Sequence, residues 1–448
     1  MSQSSPANGQ AIATYIAGAP QRALPLEVTD MARLCLADWL GVAIGAAEEP
    51  AGRIVREVAA AWRSEGRATV LFGGTAAAPF AALANGTLAH CLDFDDTYVK
   101  AITHTSAPVW AATLALGEQV GADEAAMLSA FVAGFETAAR IGSGLGEAVT
   151  ARGWHGTGVF GRLGAAAAAA VLLRLDAKQA LHALGAAATQ TSGLVASFGT
   201  MAKPFHAGRA AMDGIVAAQL AASGFAAATR LFEPGGGLDT ALVQDRTVTI
   251  APIDVSGWRI LENSFKPYAA CHLTHPAVDA ARALALSANE RGAISSVRAE
   301  IGALAEQITG GKSGAPATPL EGKFDLKYCV ALGLHGQAVS AADFREPWHP
   351  DPAVCATAGK IESVVSPEMG FASARLTVDF ADSRREMAHV PVAKGHPGNP
   401  MNWDDMHGKF EALAAPRLGA RSETLLNLVR EFGRGDMLAE IRAMLARL

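Results

Sequence analysis

The sequence predicts a mainly α-helical fold, a large helical domain interrupted by a smaller α+β unit. Three observations predict it: apolar residues recur at helical spacing from Ala11 to Gln244, period-two alternation enters only after about Ile250, and helical patterns return from Trp403. The boundaries that follow are 1–262 for the first helical part, 263–399 for the α+β unit and 400–448 for the helical return.

In chain order, Ala125 to Ile141 (AAMLSAFVAGFETAARI) and Asp176 to Thr189 (DAKQALHALGAAAT) carry the helical pattern, with Asp176 placed to cap the second. Gly161 to Leu173 has almost no charge, which predicts a helix buried on most faces. Further on, SSVRAEIGALAEQI alternates in part. Ala374 to Phe380 puts Leu376, Val378 and Phe380 on one face, and the polar turn ADSRRE leads into MAHVPV, a hairpin pattern. The segments DDMHGKFEALAA and SETLLNLVREF close the chain as helices.

Composition excludes several functions. A chain of 448 residues is long for one core and favours two domains. A formal charge of -6 with 18% charged residues gives no field for a polyanion, so no nucleic-acid partner is expected. Five scattered cysteines without a CxxC pair, and no secretory leader in MSQSSPANGQ, read as a reduced, cytoplasmic protein. The longest apolar run, within Gly164 to Leu173, falls short of the roughly 20 residues a bilayer span needs.

Familiar cofactor motifs fail. GGKSG would need glycine at 306, where Glu306 stands, and GSGLG ends in Glu147 instead of a final glycine. There is no GxSxG and no HExxH, and PGGG at Pro234 to Gly237 reads as a loop. What remains are polar clusters at segment boundaries. LAHCLDFDDTYVKAITHTS carries Asp93, Asp95, Asp96, Thr97 and His104; GWHGTG carries His155; GTMAKPFHAGRAA carries Lys203, His206 and Arg209. SFKPYAACHLTH adds Lys266, Tyr268, His272 and His275, and EGKFDLKYCVA adds Lys323, Lys327 and Tyr328. Ammonium and imidazolium groups hold carboxylates, and an imidazole moves protons near neutrality, so the set suits a small polyanionic substrate. By ligand type Asp93, Asp95, Asp96 and His104 also admit a metal, but the cations around them favour an anion; Asp95 and Asp96 read as helix caps or backbone acceptors.

In these motifs and in GHPGNP at Gly395 to Pro400, the chain resembles the MmgE/PrpD family, which includes 2-methylcitrate dehydratases, cis-aconitate decarboxylases and iminodisuccinate epimerases. The resemblance implies an all-helical domain with a smaller α+β lid, a homodimer, and a site in the cleft between domain and lid without metal or organic cofactor. It implies that Asp93, Thr97, His104, His155, Lys203, Lys266, His272 and Tyr328 line that site. Within it, His155 is expected as the principal acid/base, with His104 and Tyr328 as second donor or anchor, Asp93 orienting a neighbour, and Lys203, Lys266 and His272 on the carboxylates. The expected activity is a cofactor-independent lyase, 2-methylcitrate dehydratase-like, with decarboxylase, epimerase and silent carboxylate-binding readings beside it. Two departures stand out: relatives often carry HP at His104-Thr105 and a WHPT-like run at Trp154 to Thr157.

Overall fold

The computed structural model describes residues 7–446. It is mainly α-helical, and the chain forms two compact units: Met1–Cys91, Asp95–Ser264 and Met406–Leu448 make the first, Leu92–Phe94 and Phe265–Asp405 the second.

The first unit is built on close helix crossings, which its alanine and glycine content permits. Glu124–Gly142 and Gly156–Leu172 cross where glycine meets glycine: a Cβ on Gly134 would lie 2.6 Å from the Gly164 carbonyl oxygen. Helix Ala202–Ala222 meets Ala78–His90 in the same way, with a Cβ on Gly208 only 2.2 Å from the Leu83 oxygen. A single methyl at either crossing would force the backbones apart. All of Gly156–Leu172 is buried, as its lack of charge predicts. Trp39, Trp110, Phe131 and Phe135 are buried in the same unit, the Trp110 and Phe131 rings stacked at 4.1 Å. Asp176 caps Ala177–Ala188 through a complete capping box with Gln179.

Two features depart from the sequence expectation for this unit. A short antiparallel hairpin, β1 (Ala68–Val70) with β2 (Gly74–Ala76), interrupts the expected run of helices. β-Branched Thr69 and Val70 favour the extended chain, and Gly74 turns at φ 86°. The helical run also ends earlier than read: beyond Ala222, up to residue 260, the chain is mostly irregular around the short helix Leu238–Val243. In the glycine run there, the Gly235 N–H donates to the Asp239 carboxylate, so the loop holds an anion of its own chain.

The second unit carries a four-stranded sheet in the order β4 (Ile361–Val365), β3 (Ile294–Ile301), β5 (Ala374–Phe380), β6 (Arg385–Val390). β3 pairs parallel with β4 and antiparallel with β5, and β5 with β6 forms the expected hairpin. Ala374, Leu376, Val378 and Phe380 are all buried, which is the alternation that the sequence displays. Helices His275–Ala283 and Leu326–Leu334 pack beside the sheet. Among the described residues, no helix is long and apolar enough to cross a membrane.

Candidate active site

Helix ends assemble a buried group of imidazoles in the first unit. His90 is the last residue of helix Ala78–His90, His104 precedes Ser106–Val120, His155 sits at the N-cap of Gly156–Leu172, and Lys203 and His206 begin Ala202–Ala222. The joining carboxylate is Asp95. Its oxygens lie 2.9 Å from His90 Nδ1 and 3.2 Å from His104 Nδ1, with Asp95 and the His90 side chain essentially without solvent contact. The His90 ring stands 4.5 Å from that of His104 and stacks on that of His155 at 5.7 Å.

His155 is held by backbone and by a second imidazole. Its N–H donates to the Gly193 carbonyl at 2.9 Å, and its Nδ1 lies 3.1 Å from His206 Nδ1, so one ring donates and the other accepts. Gly193 is required here: at φ 115° a Cβ would come within 3.2 Å of the His206 ring. The Phe198 ring stands edge-on to His155 at 4.9 Å, and the Lys203 ammonium lies over Phe198 at 5.0 Å. The His104 N–H donates to Thr157 Oγ1 at 3.0 Å, tying the two chain departures, His104-Thr105 and WHGTG, to each other.

Burial decides the protonation of this group. It pulls His90 down to about 4 and His155 well below the usual imidazole range, with charge on neighbouring imidazoles and on Lys203 adding to the effect at His155. His206 falls to about 4 for the same first reason. At Asp95 burial acts upward but is overruled by His104 and His90, which hold the carboxyl well below its ordinary range. Near neutrality the site therefore contains an ionised carboxylate and neutral His90, His155 and His206. Stability should depend on pH accordingly. The unfolded chain binds protons at these histidines near pH 6.5, before the folded one does, so their stabilising effect is complete above that value and is lost as pH falls toward 4. Asp96, raised to about 7 by burial and by Asp38, and Asp38, itself raised by burial, oppose this within the same window. A thermal midpoint that drops steadily between pH 7 and 4.5 is the expected result; a flat or rising profile would contradict the assignment of neutral imidazoles.

The other expected residues stand as follows. Thr97 is in the first unit, its backbone paired with Ser264 in both directions. Asp93, Lys266, His272 and Tyr328 belong to the second. There the Lys266 ammonium donates to the Asp93 carbonyl at 2.7 Å and to its carboxylate at 3.1 Å, while Lys323 donates to the Leu92 carbonyl at 2.9 Å. Asp93 itself adopts φ 53°, uncommon for a residue with a side chain. His272 packs against His275 and Phe371, and Tyr328 against Phe344 and Trp348, with burial pushing the Tyr328 phenol up.

Two members of this group differ from the sequence reading, one in role and one by not being named there. Asp95, read there as a cap or backbone acceptor, receives two imidazoles instead, and Asp96 receives the Ser106 hydroxyl and the Asn263 amide. His90 was overlooked as the end of an apolar helix; its one signal is a polar residue closing that helix five positions before an aspartate. His90, Asp95 and His104 also bring three ligand atoms within 4.8 Å of one another.

Two family models match the chain: the MmgE/PrpD N-terminal domain over residues 10–251 and the MmgE/PrpD C-terminal domain over residues 268–432. The cis-aconitate decarboxylase-like protein oryM of Aspergillus oryzae is 27% identical over 455 residues, covering 94% of either chain. The cis-aconitate decarboxylase of Mus musculus is 26% identical over 79% of this chain and 75% of its own. That of Homo sapiens is 26% identical over 78% of this chain and 76% of its own.

Proposed function

Because the chain belongs to the MmgE/PrpD family, we propose that it is a lyase acting on a small di- or tricarboxylate, and within that class a decarboxylase of a cis-aconitate-like substrate. The observation that carries this reading is the buried group of His90, Asp95, His104, His155 and His206 with the Lys203 ammonium beside it. Loss of carbon dioxide breaks the C–C bond to one carboxylate and leaves its electron pair in the carbon framework. That charge needs a nearby cation, and the carbon then needs a proton. Lys203 supplies the cation, and His104, held against the Asp95 carboxylate, the proton. The names of the relatives support decarboxylation over its rivals.

A second reading, dehydration of a methylcitrate-like substrate, is favoured by one feature: His155 is neutral near pH 7, and dehydration begins with a base. Incubation with cis-aconitate, methylcitrate and an iminodisuccinate separates the readings. A decarboxylase releases carbon dioxide, a dehydratase forms an alkene with no gas, and an epimerase changes optical rotation only. Carbon dioxide from cis-aconitate is the expected result. No turnover of any of the three would overturn the lyase reading.

A further inference from the structure

We propose that helix Ala202–Ala222, with its N-cap Met201, is the face on which two copies of this chain associate, the helix lying antiparallel to its own copy about a two-fold axis between Ala210 and Ala211. The sequence resemblance implies a homodimer without naming a surface; the face and its register come from the structure, and neither depends on the lyase reading.

Most of the helix circumference is covered by the chain itself. Ala207, Ala210, Ile215 and Ala218 are fully buried, and the helix packs on Gly156–Leu172, Ala78–His90 and Ala177–Ala188. Its solvent side is a stripe of Met201, Phe205, Arg209, half-buried Met212, Val216 and Leu220, with Gln219 beside it. At 3.6 residues per turn the six fall within an arc of roughly 100°. On an ordinary surface helix that arc is polar. Here Met201 is 54%, Phe205 39%, Val216 36% and Leu220 42% exposed. The apolar surface continues past both ends: Phe225, 49% exposed, donates its N–H to the Leu220 carbonyl, and Leu194, 51% exposed, follows the Gly193 that lies against His206.

Spacing, charge and area each point to a second copy as the occupant. The intervals along the stripe are 4, 4, 3, 4 and 4, the same read from either end. Reversed upon itself, it sets Met201 against the partner's Leu220, Phe205 against the partner's Val216 and Arg209 against the partner's Met212, each contact made twice. A surface shaped for a different protein needs no such symmetry. Arg209 is bridged to Asp213 at 3.0 Å, so the middle of the stripe is neutral, and reversal brings each Arg209 one position from the partner's Asp213. A lipid surface would instead call for a cationic border, which this neutralised pair does not supply. At about 150–200 Å² for a large side chain, the six exposed apolar residues from Leu194 to Phe225 present roughly 500 Å² per copy and about 1,000 Å² for two, enough for a specific interface. The candidate site shares the helix: Phe205 stands between Lys203 and His206, so the partner's Val216 braces from outside the turn that brings His206 to His155.

The test is the oligomeric state of the full chain by analytical ultracentrifugation at micromolar concentration. Wild type should be a dimer. Phe205→Glu sets a carboxylate against the partner's Val216, and Val216→Arg a guanidinium against the partner's Phe205. Each change enters a two-fold interface twice and should weaken association by about 100-fold or more, leaving monomers. Both positions reach water in the monomer, so circular dichroism should match wild type. Mixed in equal amounts, the two variants should recover a heterodimer, because the register then sets the new carboxylate against the new guanidinium at one junction and leaves Phe205 against Val216 at the other. Met387→Glu, at a 62% exposed apolar position on β6, should remain dimeric. A monomeric wild type would overturn the proposal, as would a dimer that survives Phe205→Glu or is lost equally in Met387→Glu. Variants that stay monomeric when mixed would overturn the antiparallel register. Should either variant fail to fold, Met201→Arg with Leu220→Glu replaces the pair, since those positions face each other in the same register.

Discussion

Replacing His155 by alanine is expected to lower turnover by about 100-fold or more, the contribution a placed acid or base typically makes, and to leave the fold intact. The fold should survive because the structural bonds at this position belong to the backbone. The His155 N–H donates to Gly193, and its carbonyl accepts from Gly158 and Val159 as the first turn of Gly156–Leu172. No side-chain bond caps that helix. What alanine removes is the ring: its 3.1 Å contact with His206, its edge contact with Phe198 and its stacking on His90. His206 is half-buried, so water can reach the nitrogen that is left behind. Circular dichroism and the thermal midpoint should therefore stay close to wild type while kcat collapses. Retained turnover would remove His155 from the mechanism, and a collapsed midpoint would show that its role is packing.

Whether a feature was legible in the sequence depends on whether one element or several decide it. The β5 strand was legible because Leu376, Val378 and Phe380 alternate within seven residues, and Asp176 as an N-cap because an aspartate stands just ahead of an apolar helical run. The hairpin β1–β2 was not, since three-residue strands give a periodic signal nothing to repeat in. The candidate site divides in the same way. His104, His155 and Lys203 stood out as polar residues at helix starts. The choice among Asp93, Asp95 and Asp96 could not be made locally, because Asp93 at φ 53° turns the chain and sends the three carboxylates to different partners: Lys266, the imidazoles, and Ser106 with Asn263. Three of those partners, His104, Ser106 and Lys266, reach their places through a loop, a helix start and a segment some 170 residues away. His90 was hidden for a simpler reason: the helix that ends in it is buried throughout its second half and reads as core.

Replacing Lys409 by methionine is expected to destabilise the protein by about 3–5 kcal/mol, the usual result of leaving one member of a buried ion pair uncompensated. Lys409 Nζ lies 2.5 Å from Asp38 Oδ1, with both side chains almost wholly out of solvent. The other Asp38 oxygen accepts the Asp96 N–H, and the Asp96 carboxyl, raised to about 7 by burial and by the Asp38 charge, stands next to it. Without the ammonium the two neighbouring acids lose the cation that Asp38 faces. Burial already raises Asp38, and Lys409 restrains that rise; its removal raises Asp38 further. A carboxyl with a folded pKa above the unfolded one favours the folded state only while protonated, so its penalty grows as pH climbs from about 4 through the folded value. The deficit of Lys409→Met in urea unfolding should thus be smaller at pH 5 than at pH 8. Adding Asp38→Asn should recover most of it, because an amide oxygen still accepts from Asp96 and the carboxylate that Lys409 faced is gone. A deficit below about 1 kcal/mol, or a double variant no more stable than Lys409→Met, would mean that water reaches the pair.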